Sequence, residues 1–139
     1  MPPTGRSEQM EFTIRTSKDR DLLDVTEEVL RAASKGGVKD GVCLVYVPHA
    51  TAGIIVNEFE PNIAHDFTQM FERLFPPGDY RHNMIDDNAQ AHLKSGFVGP
   101  GASIPVTAGR LDLGTWQRII LCEFDGPRER RVIVKVVGK

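Results

Sequence analysis

No apolar run in this chain approaches the roughly 20 residues that a membrane-crossing helix needs, and the N-terminus lacks the apolar core of a signal peptide. Both absences point to a cytoplasmic protein with no membrane partner. Basic charge is also scarce: 17 Lys and Arg against 19 Asp and Glu leave a formal charge of -2. Nucleic acid demands a concentrated basic face, so it is not an expected partner. The one basic cluster, Arg128 to Arg131 with Glu129 inside it, suits either a solvated hairpin turn or an anion site. Only two cysteines are present, Cys43 and Cys122. Each lies in an apolar strand-like segment without CxxC spacing, so buried free thiols are expected and a cysteine nucleophile is disfavoured. The chain has no GxxxxGK phosphate loop, no GxGxxG after a strand and no GxSxG elbow, which removes three common enzyme classes.

What is present is an ordinary globular composition, 40% apolar and 26% charged over 139 residues. That is enough for one domain with a real core. Residues 1–10, with two prolines and a glycine before residue 6, read as a flexible arm, and 11–139 as a single domain. Phe12 and Ile14 alternate with polar neighbours in a first strand. Asp24 and Glu27 have capping-box spacing ahead of a helix through Val25, Val29, Ala32 and Ala33, which Gly36 and Gly37 stop. The continuous apolar run from Gly41 to Pro48 reads as a central strand covered on both sides, with His49 continuing its inner face. Ala52 to Glu58 forms another strand. Glu58 is then either a carboxylate at an apolar edge or a helix-start residue ahead of Pro61.

Pro61 opens the clearest helix, whose apolar face is Ile63, Phe67, Met70, Phe71 and Leu74; His65 falls on the opposite, solvent side. After a Pro-Pro-Gly stop, Tyr80 to His92 carries two of the four histidines, two adjacent carboxylates and two Asn side chains. Asp86 or Asp87 can cap a helix over 87–97. Asn88 and His92 share one face of it, beside an apolar stripe of Ala89, Leu93 and Phe97 expected to pack on the core. The remainder reads as strands near Ser103 to Thr107, Arg110 to Leu113, Gln117 to Asp125 and Arg131 to Val137, joined as an antiparallel meander. Within the third of these, Ile119, Leu121, Glu123 and Asp125 face one way and Ile120, Cys122 and Phe124 the other. The expected fold class is therefore α+β, a mainly antiparallel sheet or sandwich with about three helices.

Three histidines stand at informative places: His49 at a strand end, His82 in a loop and His92 on a helix. Imidazoles suit zinc or a similar ion, and a catalytic site keeps three protein ligands and an open position. Glu58 or Asp87 could complete such a centre. Phosphate could instead be held by backbone N–H groups at the helix start or the Gly99-Pro100-Gly101 turn, helped by Arg128.

The segments His49-Ala50-Thr51-Ala52-Gly53, Asn57-Glu58, Tyr80-Arg81-His82-Asn83, Asp87 to Leu93, Gly114-Thr115-Trp116-Gln117 and Glu123 to Arg128, in this order, resemble the YjbQ-like family, whose members are often labelled secondary thiamine-phosphate synthases. The resemblance runs from about Phe12 to Val137. It implies a compact α+β fold around a β-sandwich, assembled as a homotrimer with clefts near subunit boundaries. It also implies a pocket where His49, His82 and His92 converge on a divalent metal ion, zinc or magnesium, or on an anion. Thr51, Asn88, Trp116 and Arg128 are further substrate-binding candidates, and Glu58 and Glu123 catalytic ones. One position departs from the family's His-Thr-Thr-Ala-Gly: Ala50 lacks the hydroxyl. The implied reaction joins a hydroxymethylpyrimidine diphosphate to a thiazole phosphate and releases pyrophosphate. Two other classes fit the same residues: a metal-dependent hydrolase with Glu58 or Glu123 as general base, and a non-catalytic trimer that holds a metal or ligand.

Overall fold

The computed structural model describes residues 5–139. Eight strands form two antiparallel sheets, and three helices are added to them. The strands are β1 (Arg6–Arg15), β2 (Asp21–Asp24), β3 (Asp40–Tyr46), β4 (Ala52–Asn57), β5 (Gly101–Thr107), β6 (Arg110–Leu111), β7 (Arg118–Glu123) and β8 (Glu129–Gly138). The larger sheet has the order β1-β8-β3-β5-β6 and the smaller one β2-β7-β4. The expected meander of the last four strands is therefore confined to the β5-β6 hairpin. β7 crosses to the centre of the small sheet, and β8 returns to pair with both β1 and β3.

The sheets face each other across one core. Cys43 and Val45 from β3, Ile104 and Val106 from β5, and Val132, Val134 and Val136 from β8 meet Ile119 and Leu121 of β7. The period-2 alternation of these strands places every second side chain in that layer. The strand buried on both faces is β7, not β3. Cys122 turns away from the main core onto a second cluster with Phe71, Ala91 and Phe124, and Ile120, on the same face of β7, is fully buried too. On β3 the outward Val42, Leu44 and Tyr46 stay exposed at 47%, 37% and 38%. An apolar run fixes the strand, but only the tertiary arrangement says which of its faces meets a neighbour.

Helix α1 (Thr26–Ser34) starts two residues after Asp24, because the Asp24 carboxylate accepts the Thr26 backbone N–H and hydroxyl at 3.0 and 2.6 Å. Glu27 does not reach back as a capping box. Arg118 instead bridges Asp24 and Glu27. Helix α2 (Pro61–Leu74) has Pro61 in its first turn and is capped by Glu60, which accepts from Asn62 and Ile63. His65 is exposed, as expected. The N-terminal arm is shorter than 1–10, since Arg6 to Met10 already pair with β8; residues 1–4 lie outside the described part.

Helix α3 (Ala89–Val98) departs most from expectation. Asn88 occupies the N-cap but its side chain makes no capping bond, and Asn83, from a 3-10 turn over Arg81–Met84, accepts the Ala89 N–H at 3.0 Å. Neither Asp86 nor Asp87 caps it. The buried face is Ala89, Ala91, Lys94 and Ser95; of the expected stripe only Ala89 is covered, while Leu93 and Phe97 are 42% and 68% exposed. Small side chains let α3 settle close to β4, where the Ser95 hydroxyl donates to the Ala52 carbonyl at 2.6 Å. Gly53 completes that approach: a Cβ there would stand 2.8 Å from Val98 and 2.9 Å from the Gly99 carbonyl.

Candidate histidine and phosphate site

The end of the small sheet where β4 starts and β7 finishes collects most of the candidate residues. Ala52 pairs with Glu123 there, and Asn57 pairs with Arg118 at the far end. His49 and His92 line one open depression of about 620 Å³, with Tyr46, Ala50, Gly96 and Pro100 among its walls. His82 packs edge-on against His92, with ring centroids 4.7 Å apart.

A line of hydrogen bonds sets the orientation of His82. Arg128 donates to Asp125, through Nε to the carbonyl at 2.7 Å and through Nη2 to the carboxylate at 3.2 Å. The Asn88 amide donates to the same carboxylate oxygen at 3.0 Å. That bond fixes which end of Asn88 is the carbonyl, so Asn88 Oδ1 faces His82 Nε2, 2.9 Å away, as an acceptor. His82 Nε2 must then carry a hydrogen, which leaves Nδ1 of the neutral ring with its lone pair.

Beneath this surface lies a buried ion pair between the two sheets. Arg130 of β8 and Glu123 of β7 are each 1% exposed. Arg130 Nε donates to both Glu123 oxygens at 2.9 and 3.1 Å, and Nη2 to Glu123, the Thr51 hydroxyl and the Thr51 carbonyl. Glu123 also accepts from the Thr16 hydroxyl at 2.7 Å and the Asp125 backbone N–H at 3.1 Å. Among the described residues, no fully buried side-chain polar atom of this cluster lacks a partner, as a buried charge requires.

Several expectations change on this geometry. Glu123 is not a general base, because both its oxygens are engaged out of reach of solvent. The Thr51 hydroxyl serves Arg130 and not the depression. Glu58 and Trp116 sit together in a separate groove with Val56, Asn57 and Gln117. That groove lies at the opposite end of β4, a strand of this length spanning roughly 17 to 20 Å. Within one chain, Glu58 and Trp116 therefore do not join the histidines. Among the described residues, no three His, Cys, Asp or Glu side chains are grouped to hold a metal ion. His49 Nε2 accepts the Arg131 backbone N–H at 2.8 Å, and His82 Nε2 is taken by Asn88. The three histidines thus do not fit a closed three-ligand centre within one chain. His82, His92 and Asn88 do come together, with Arg128 linked to them through Asp125.

Arg130 is the residue that the sequence reading missed. Its signal is the alternation Arg130, Val132, Val134, Val136, which puts it in phase with the core positions of β8. Lys94 is a second: it is 2% exposed on α3 and donates to Glu72 at 2.7 Å.

This is a two-sheet antiparallel α+β domain with a polar histidine, asparagine and aspartate cluster at one end. The chain belongs to the YjbQ/UPF0047 family: the model described as UPF0047 protein YjbQ-like matches residues 10–139. A UPF0047 protein of Archaeoglobus fulgidus is 45% identical over 129 residues, 92% of this chain and all of that protein. UPF0047 protein YugU of Bacillus subtilis is 40% identical over 126 residues, 90% of this chain and 96% of its own. Among solved structures, a YbjQ-like protein of unknown function from Sulfolobus solfataricus P2 superposes with a TM-score of 0.95 at 38% identity, covering 97% of this chain and 99% of that one. A hypothetical protein from Aeropyrum pernix K1 gives 0.92 at 44% identity, with 95% and 99% covered.

Proposed function

We propose that the chain is an enzyme acting on a phosphorylated small molecule at the His49 and His92 depression, in a reaction of the secondary thiamine-phosphate synthase type. The observation that carries this reading is the Arg128, Asp125, Asn88, His82 line. It fixes one imidazole at a polar, open surface, and no packing requirement of the core calls for it. In such a reaction His82 Nδ1 takes up or holds a proton, and Arg128, half free at the rim, meets phosphate oxygens. A divalent cation, zinc or magnesium, would compete with that proton for the His82 Nδ1 lone pair and would have His92 as its second protein contact. Its chemistry, when bound, would be neutralisation of leaving-group charge.

We also place the protein in the cytoplasm as a homotrimer. The exposed Val42, Leu44 and Tyr46 on β3 and Leu93 and Phe97 on α3 are the faces that other copies would cover. Glu58 and Trp116 can serve the histidine depression only from a neighbouring copy. The hydrolase alternative loses Glu123 as a base, since it is buried against Arg130, and keeps Glu58 only as a residue of a neighbouring copy.

The test is turnover of hydroxymethylpyrimidine diphosphate and thiazole phosphate, followed by pyrophosphate release. His82→Ala and His92→Ala should abolish it with the fold intact by circular dichroism. Asn88→Ala should lower kcat about 10- to 100-fold, as loss of an orienting partner does. Normal turnover by His92→Ala would sink the site assignment. Absence of turnover in a parent protein that binds pyrophosphate would favour the non-catalytic trimer.

A further inference from the structure

The three histidines have the same side chain but different hydrogen-bond surroundings, and the difference separates their roles. After Val47 the chain leaves the sheet at Pro48, which sets His49 beside the start of β8. There the Arg131 backbone N–H donates to His49 Nε2 at 2.8 Å. A backbone amide can only donate, so Nε2 holds the lone pair and the proton of the neutral ring is on Nδ1. Among the described residues Nδ1 has no hydrogen-bond partner, yet it is not among the buried unpartnered atoms, so it reaches solvent. The ring lines the depression shared with His92.

A metal at Nδ1 would need that atom's lone pair. The ring proton would then move to Nε2, directly against the Arg131 N–H. Bound phosphate makes the opposite demand, for it needs a donor, and Nδ1–H is one.

We propose that His49 is a fixed Nδ1–H donor that receives an anionic oxygen of a phosphoryl group in the depression, and is not a metal ligand. The inference rests on the proposed function only for the kind of molecule bound. The surrounding charge agrees with it. Burial first, then Arg130 and Arg131, and more weakly Arg128, hold the His49 imidazole below its ordinary basicity, with Glu123 opposing. The arginine part of this effect, and not the burial, favours an anion beside the ring. The Arg131 guanidinium is itself directed to Glu11 at 2.9 Å, so the backbone N–H and not that side chain orients His49.

The first measurement is a long-range 1H–15N correlation of the histidine rings in the full chain near neutral pH. His49 should show a protonated Nδ1 and a bare, hydrogen-bonded Nε2. Added Zn2+ should move His82 and His92 resonances and leave those of His49 in place, whereas inorganic pyrophosphate should shift His49 Nδ1. A proton on Nε2, a Zn2+ response at His49 equal to that at His82, or no response of Nδ1 to pyrophosphate overturns the proposal. The second measurement is pyrophosphate binding by two variants. His49→Leu should weaken it about tenfold or more, the loss of one hydrogen bond to a charged group. His49→Asn, whose amide N–H stands near the Nδ1 position, should recover most of it. Equal weakening in both variants overturns the donor role. A protein with this tautomer and this binding but no synthase turnover would refute the proposed reaction alone.

Discussion

His82 and His92 touch, but only the bonds around them say what each nitrogen can do. Asn88 is the deciding side chain: with its amide tied to Asp125, its carbonyl is the one group it can offer to His82. The same logic, run from the Arg131 N–H, gives His49 the opposite tautomer with respect to its free nitrogen. Composition and spacing identified these histidines as candidates. They could not tell donor from acceptor, because that depends on partners 6 to 82 residues away in the chain. The cysteines are a simpler case. Burial pushes the Cys43 thiol up to about 11 and the Cys122 thiol up to about 12. Neither is a thiolate near neutral pH. A thiol reagent should therefore label neither in the folded protein and both after unfolding, counted by mass spectrometry; rapid labelling of Cys43 in the folded state would mean that β3 opens.

Among the elements, α3 depends most on contacts from elsewhere. Its cap comes from Asn83 across the 3-10 turn, and its closeness to β4 depends on Gly53. Asn83→Ala should cost about 1 kcal/mol of stability, the usual loss for a side-chain cap. Gly53→Ala should cost about 1 to 3 kcal/mol, because Val98 and the Gly99 carbonyl must shift to admit the methyl group. Chemical denaturation of each variant checks both values, and a neutral Gly53→Ala would show that α3 can move away without loss. The second is also a test of the site, since α3 carries His92. The stripe Ala89, Leu93, Phe97 was a sound helical pattern, but only Ala89 of it is buried, and Ala91, Lys94 and Ser95 complete the covered face. A small-residue face gives little hydrophobic signal, so periodicity points away from it.

Taken together, the two sheets are joined at one end by the Arg130 and Glu123 pair as well as by the apolar core. Glu123→Ala should cost about 3 to 5 kcal/mol, since it leaves the Arg130 charge buried and unpaired. Removing both, as Glu123→Leu with Arg130→Met, should recover much of that loss, and a double-mutant cycle by urea unfolding measures the coupling. Stability should also fall in acid, in two stages. Burial alone pushes Asp24 up, but hydrogen bonds from Thr26 and Arg118 outweigh it and hold the carboxyl below its ordinary value. Glu72 is held down likewise, with Lys94 and Arg20 outweighing burial. The stability these two contribute is complete above the ordinary carboxylate value of about 4 and is lost progressively as pH falls from there through their lower folded values. His49 acts earlier. Its folded value is depressed, so the unfolded chain takes up the proton first once pH falls below about 6.5. Thermal unfolding should thus show a shallow decline from there and a steeper one through the carboxylate range, and His49→Leu should remove the first.

The amino-acid order determined the strands with a period of two, the amphipathic α2 with its proline start, the free buried thiols, the fold class and the histidine, asparagine and arginine candidates. Those properties are local, set by backbone preference and by the spacing of apolar side chains. The tertiary structure alone decided that β7 and not β3 is covered on both faces, that Glu123 answers Arg130 and not a substrate, and that Glu58 and Trp116 lie away from the histidines. It also gave His49 and His82 their free nitrogens. All of these follow from which distant strands become neighbours, and an antiparallel pairing such as Ala52 with Glu123 leaves no local trace in the sequence around either residue.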